Sequence, residues 1–206
     1  MKKVLLTFMV VVAGLSVTAL DMNAQSTSAQ TRHQQEMAKW HQEMQEFKAR
    51  TEQRRELNEL TDSIAGVQAA AAVKNQDFVL EADQVTFKNG NTVFVNSNTT
   101  FIYVKGNRAV VQISPSNFAA GPNGVGGVTV DGTITDMQRM VDKKGRVTVS
   151  FNVMGIGINA QIEVYMTPGT NQATATIYPN FNSNTVWMSG QIVPYENSDI
   201  FEGSSL

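Results

Sequence analysis

Residues 146–178 read RVTVSFNVM, GIG, INAQIEVYM, TPGTN, QATATIY, and the period of this stretch decides the fold. In the first run Val147, Val149, Phe151 and Val153 fall on one side, and Thr148, Ser150 and Asn152 on the other. In the second, Ile158, Ala160, Ile162, Val164 and Met166 alternate with Asn159, Gln161, Glu163 and Tyr165. In the third, Ala173, Ala175 and Ile177 alternate with Thr174, Thr176 and Tyr178. Successive side chains of a strand point to opposite faces, so each run has one apolar and one polar face. Three such runs joined by glycine-containing turns form an antiparallel meander with one buried face.

Upstream, the same period starts at Asp77. Phe78, Leu80 and Ala82 alternate with Val79, Glu81 and Asp83, and the run continues to Val85 and Phe87. Lys88-Asn89-Gly90-Asn91 is a hairpin turn, because Asn-Gly readily takes the positive φ that tight hairpins need. Residues 92–95, 99–104, 108–113 and 128–141 read as further strands, the last with Gly132 as a bend. Residues 118–127, FAAGPNGVGG, read as a loop. Downstream, residues 185–193 are the last strand and 195–206 an extended, mostly polar tail. Eight or nine strands without an intervening helix predict a mainly β domain, a closed barrel or a sandwich. Consecutive hairpins favour an antiparallel barrel, with Gly132, Gly155, Gly157 and Gly190 as its kinks.

Residues 25–76 have a different character. They are rich in Gln, Glu, Lys, Arg and Ala, with no proline and no glycine before Gly66. Good helix formers at this density predict one long or two consecutive amphipathic helices. Met37, Trp40, Met44 and Phe47 recur at spacings of three and four. Leu57, Leu60, Ile64, Val67 and Ala71 form a second series, one residue out of phase, with 51–55 as the join. The second series is expected to dock on the sheet. Residues 25–50 are expected to project toward a partner in the cell envelope. Residues 1–24 read as a secretory signal peptide: Lys2 and Lys3, an apolar run over 4–20, and Ala24 before Gln25. The expected layout is therefore a signal peptide (1–24), a helical extension (25–76) and a β-barrel domain (77–206). The expected location is the periplasm or envelope, with no membrane span after cleavage.

Composition removes several chemistries. A net charge of −2 argues against a nucleic-acid surface. The absence of cysteine excludes disulfides, thiolate nucleophiles and cysteine-ligated zinc. His33 and His41, on one helix, would stand about 12 Å apart along its axis, too far to share a metal ion. The loop at 118–127 lacks the Lys-Ser/Thr of a phosphate-binding loop and precedes a strand, not a helix. No cofactor, metal site or catalytic residue is expected. Glu81 and Asp83 would lie on one strand face, about 6.5–7 Å apart at Cα. That spacing is within reach of a paired-acid glycosidase, but the polar exterior of an ordinary strand looks the same.

The aromatic residues supply the candidate binding surface. Phe94, Phe101, Tyr103, Tyr165, Tyr178 and Trp187 fall opposite the aliphatic positions of their strands. With the aliphatic face as core they form an exterior set, and exposed aromatic clusters mark binding surfaces. Pointing inward, they would line a cavity for a small hydrophobic ligand. The helical stripe needs a surface, so the first expectation is that the helix covers them.

FVLEADQV, GPNGVGGVTVDG, VSFNVMGIGINAQI and VPYENSDIF together resemble the family named domain of unknown function 4251, over about 130 residues from Asp77. The resemblance implies an exported bacterial protein with a signal peptide, a helical lead-in and a small lipocalin-like barrel. It implies no activity. The functional expectation is a non-enzymatic binding or scaffold protein of the envelope. The alternatives are a carrier of a small hydrophobic ligand and a carboxylate-based hydrolase.

Overall fold

The helix-forming composition produces a single helix, α1 (Lys2–Asn75), without a break at 51–55. The computed structural model describes residues 2–114, 127–155, 159–180 and 184–204, and for 2–30 the backbone alone. Of the expected loop at 118–127, residues 118–126 lie outside the described residues, as do Gly157 and Ile158. Gln76 ends the helix with φ 55°, and its carbonyl accepts the amide of Gly106 at 2.8 Å.

From there the period of two takes over. The strands are β1 (Asp77–Phe87), β2 (Thr92–Phe94), β3 (Phe101–Lys105), β4 (Arg108–Ile113), β5 (Val128–Val141), β6 (Val147–Gly155), β7 (Asn159–Met166), β8 (Gln172–Pro179) and β9 (Val186–Pro194). All pairings are antiparallel, and the meander order runs β1-β3-β4-β5-β6-β7-β8-β9. β1 pairs with β9 from Phe78↔Pro194 to Phe87↔Val186 and closes an eight-stranded barrel. β2 is the extra strand, held on the later half of β1.

Two irregularities shape the wall. In β1 the register shifts between Ala82 and Gln84, so Asp83 is the extra residue of a bulge. That bulge explains why the inward series steps from Ala82 to Val85. In β5 the expected bend at Gly132 lies further on. Asp136 has φ 55° and the register shifts between Thr135 and Gln138. Gly132 serves close approach instead: a Cβ there would stand 2.5 Å from the Met154 carbonyl oxygen.

The barrel interior is a packed core. Phe78, Leu80, Phe151, Ile162, Met188 and Ile192 are among its fully buried side chains. The chain forms two compact units, Met1–Leu57 and Asn58–Leu206, so the last turns of α1 belong with the barrel. They enter the core through Ala69, Ala72 and Val73. The expected docking of Leu57, Leu60, Ile64 and Val67 is not what occurs: all four are more than half exposed. The reason is steric. Gly66 lies so close to the β7–β8 turn that a Cβ would stand 2.8 Å from the Thr170 amide nitrogen. Only small side chains allow that approach, so the Gly66–Ala69–Val73 side of the helix packs and the large aliphatic side faces out.

Candidate functional site

Side-chain alternation places the six sequence-predicted aromatics outside the barrel, since the interior cluster contains none of them. The expectation of an aromatic-lined cavity therefore fails. The structure also divides the six into three places.

Phe101 and Tyr103 are buried on the outer wall, in a second cluster with Val79 and Val110. The expectation that the helix covers them is corrected: the C-terminal segment packs there instead. Tyr195, in a single 3-10 turn over Tyr195–Asn197, stacks on Tyr103 with ring centroids 4.7 Å apart. Ile200 packs against the same cluster. The residues read as a polar tail are fastened by polar groups of β1, β3 and β4. Gln112, fully buried, donates to the carbonyls of Thr99 (3.0 Å) and Phe201 (2.9 Å). Its Oε1 accepts from Thr129 Oγ1 (3.0 Å) and the Gly203 amide (2.8 Å). Arg108 holds Asp131 in a two-point bridge at 3.0 and 2.8 Å and also binds Glu202. Donating to the Asp131 carboxylate, with Glu202 beside it, raises the guanidinium well above its ordinary pKa. Alternation along β4 puts Gln112 on the outer face with Arg108 and Val110, opposite Ala109 and Val111. The apolar residues Val79, Phe101 and Val110 on that face were the available signal that something covers it.

Glu81 accepts a hydrogen bond from Ser198 Oγ at 2.6 Å, another tie to the tail. Asp83, as the bulge residue, is displaced from the two-residue repeat that would have paired it with Glu81. His33 and His41 are exposed on α1, and among the described residues no group of three or more His, Cys, Asp or Glu is placed to hold a metal ion.

Phe94 is isolated on β2 and 80% exposed. Tyr165, Tyr178 and Trp187 share the open wall of β7, β8 and β9. Register places Tyr165 opposite Thr174, Tyr178 opposite Gln161, and Trp187 opposite Thr176. Tyr165 donates its hydroxyl to Glu163 at 2.6 Å, and that bond raises the tyrosine pKa. Beside Tyr165 a cleft of about 590 Å³ opens between the β5–β6 and β7–β8 turns.

A family profile, Domain of unknown function (DUF4251), matches residues 62–192. The chain belongs to the DUF4251 family. The crystal structure of a DUF4251 family protein from Bacteroides eggerthii DSM 20697 at 1.95 Å resolution is similar, with a TM-score of 0.61 and 50% identity. The match covers 69% of this chain and 96% of that one. No curated protein matches. The DUF4251 match starts at Asp62, so the family's shared part takes in the last turns of α1 that enter the core.

Proposed function

We propose that this DUF4251 protein is an exported, non-enzymatic binding or scaffold protein of the cell envelope. In this reading the barrel is a solid anchor and α1 carries the contact with a partner. The observation that carries it is the exposure of Leu57, Leu60, Ile64 and Val67, large apolar residues at helical spacing on a helix that ends in the core. Trp40 and Phe47 are exposed on the same helix. Export is supported by Lys2 and Lys3 before the apolar run over 4–20. Among the described residues no helix is long and apolar enough to cross a membrane. Core side chains occupying the barrel interior weigh against the carrier alternative. The tail contact at Glu81 and the bulge at Asp83 weigh against the paired-acid alternative.

Photo-cross-linking tests the reading. A photoreactive residue at position 64 should give one saturable adduct in the cell envelope, and Leu60→Glu should abolish it without shifting the unfolding midpoint. An adduct pattern unchanged by Leu60→Glu, or the protein recovered in the cytoplasm with Met1 intact, refutes it.

A further inference from the structure

We infer that the open wall of β6–β9 binds a neutral oligosaccharide chain, with Tyr165, Tyr178 and Trp187 as its stacking surfaces. The first argument is charge. Across β6, β7, β8 and β9 the only charged residue is Glu163. A soluble surface of ordinary composition is roughly a quarter to a third charged. Glu163 is itself engaged, accepting from Tyr165 at 2.6 Å and from Gln161 at 3.3 Å. The wall otherwise offers amides and hydroxyls, such as Asn152, Gln161, Thr174 and Gln191. These four strands carry no basic residue with which to attract an anion or a nucleic acid. Their polar groups both donate and accept, as the hydroxyls of a sugar require.

The second argument is the placement of the aromatic rings. Tyr165 is 45% exposed and Tyr178 41% exposed, so neither is spent on the core. The bond from Tyr165 to Glu163, two residues earlier on the same strand, draws the ring along β7 and fixes it. A fixed aromatic face suits the C–H-bearing face of a sugar ring, with amides beside it for the hydroxyls at the ring's edge. From register, Tyr165 and Trp187 are two strands and one two-residue step apart, about 12 Å. Tyr178 stands about 8 Å from Trp187 by the same reckoning. Those separations exceed one sugar ring, so the ligand is a chain.

The third argument is the cleft beside Tyr165. At about 590 Å³ it lies within the usual range for ligand sites. Its wall combines apolar Met140, Val141 and Pro168 with Thr148, Thr167 and Thr174. Arg146 at its rim is neutralised by Asp142, Nε to Oδ2 2.6 Å. The cleft would seat one end of the chain, and the wall its continuation. This site is separate from the helical contact proposed above.

Affinity electrophoresis of the purified protein tests the inference, in gels containing hydroxyethylcellulose, galactomannan, arabinoxylan or soluble starch. At least one should retard it. Tyr165→Ala should weaken that retardation about tenfold, the equivalent of one stacked ring. Thr174→Lys, which puts a charge in the cleft and keeps the ring, should also weaken it. Trp40→Ala, an exposed aromatic of α1, should leave it unchanged. Circular dichroism melts would show that each variant is folded. No retardation in any of the four gels overturns the inference. So does retardation that survives both Tyr165→Ala and Thr174→Lys, or binding only to a charged polysaccharide that salt abolishes.

Discussion

Gly190 and Glu81 touch where β9 closes on β1: a Cβ at Gly190 would stand 1.9 Å from the Glu81 carbonyl oxygen. The same Cβ would lie 2.7 Å from the Ala82 Cα. This contact adjoins the bulge at Asp83, where the closing ladder shifts register. Closure of the barrel thus depends on a position that admits no side chain. Gly190→Ala should destabilise the barrel by about 3 kcal/mol, the upper end of ordinary overpacking. For a unit of this size that corresponds to a midpoint lowered by roughly 10 °C. Gly90, with φ 82° and nothing within 4 Å, should lose only about 1–2 kcal/mol as alanine. Thermal melts of the two variants decide the point, and equal midpoints would refute it.

Gly66 should reverse the usual sign of a glycine-to-alanine change. In an exposed helix interior, alanine is about 1 kcal/mol better than glycine. Here the added Cβ would stand 2.9 Å from the Gly169 carbonyl carbon as well as 2.8 Å from the Thr170 nitrogen, both backbone atoms. Gly66→Ala is therefore expected to lower stability, and Gly66→Val to lower it further. Ile64→Ala, on the exposed side, should change it by less than about 0.5 kcal/mol. Chemical denaturation of the three variants measures the order directly.

Much of this fold was legible because the apolar alternation of β1, β6, β7, β8 and β9 is nearly unbroken. Consecutive hairpins point to closure, but the register of β1 on β9 was not legible, since pairing between chain-distant strands leaves no local mark. The helix was legible as a helix, but its packing side was misread. Large side chains at helical spacing point to docking, whereas at Gly66, Ala69 and Ala72 close approach requires small residues. The candidate aromatics show the same limit. Alternation placed Phe101 and Tyr165 on the same outer surface, which is correct. It could not distinguish them, because burial of Phe101 depends on a tail about a hundred residues away in sequence.

Gln112 should prove essential to that tail. Gln112→Leu removes four hydrogen bonds: those to the carbonyls of Thr99 and Phe201, and those from the Thr129 hydroxyl and the Gly203 amide. Losing these bonds, two of them buried and two part-buried, should destabilise by about 2–4 kcal/mol together. The variant should also free the tail to chymotrypsin, which cuts after Tyr195 and Phe201. A variant as stable and as resistant as the parent protein would show that the tail is held by other means.

Tyr103 should make the barrel sensitive to alkali. Its pKa is raised above 10.0, first by burial and then by the neighbouring Tyr195. The folded state therefore favours the protonated phenol. That contribution is complete below the unfolded value and is lost as the pH rises through the raised one. Tyr165, raised by its bond to Glu163, acts in the same direction. Denaturation midpoints should fall above pH 10, and less steeply in Tyr103→Phe. Parallel profiles for the two proteins would remove Tyr103 as the cause.

Truncation separates the two roles of α1. Removing residues through Leu57 takes away the first compact unit and leaves the second whole. The unfolding midpoint of the barrel should then be nearly unchanged. Removing residues through Val73 also takes Ala69, Ala72 and Val73 out of the core and exposes the apolar end they cover. Full burial of a valine is worth about 1.5–3 kcal/mol and each alanine methyl less, so the trio accounts for roughly 3–5 kcal/mol. Typical domains have only 5–15 kcal/mol in all. The longer truncation should therefore melt far lower or fail to accumulate as soluble protein. Restoring residues 58–73 alone should recover the parent midpoint, because the packing contacts lie in those turns. If the shorter truncation destabilises the barrel as much as the longer one, the first unit contributes to the core and the division at Leu57 is wrong.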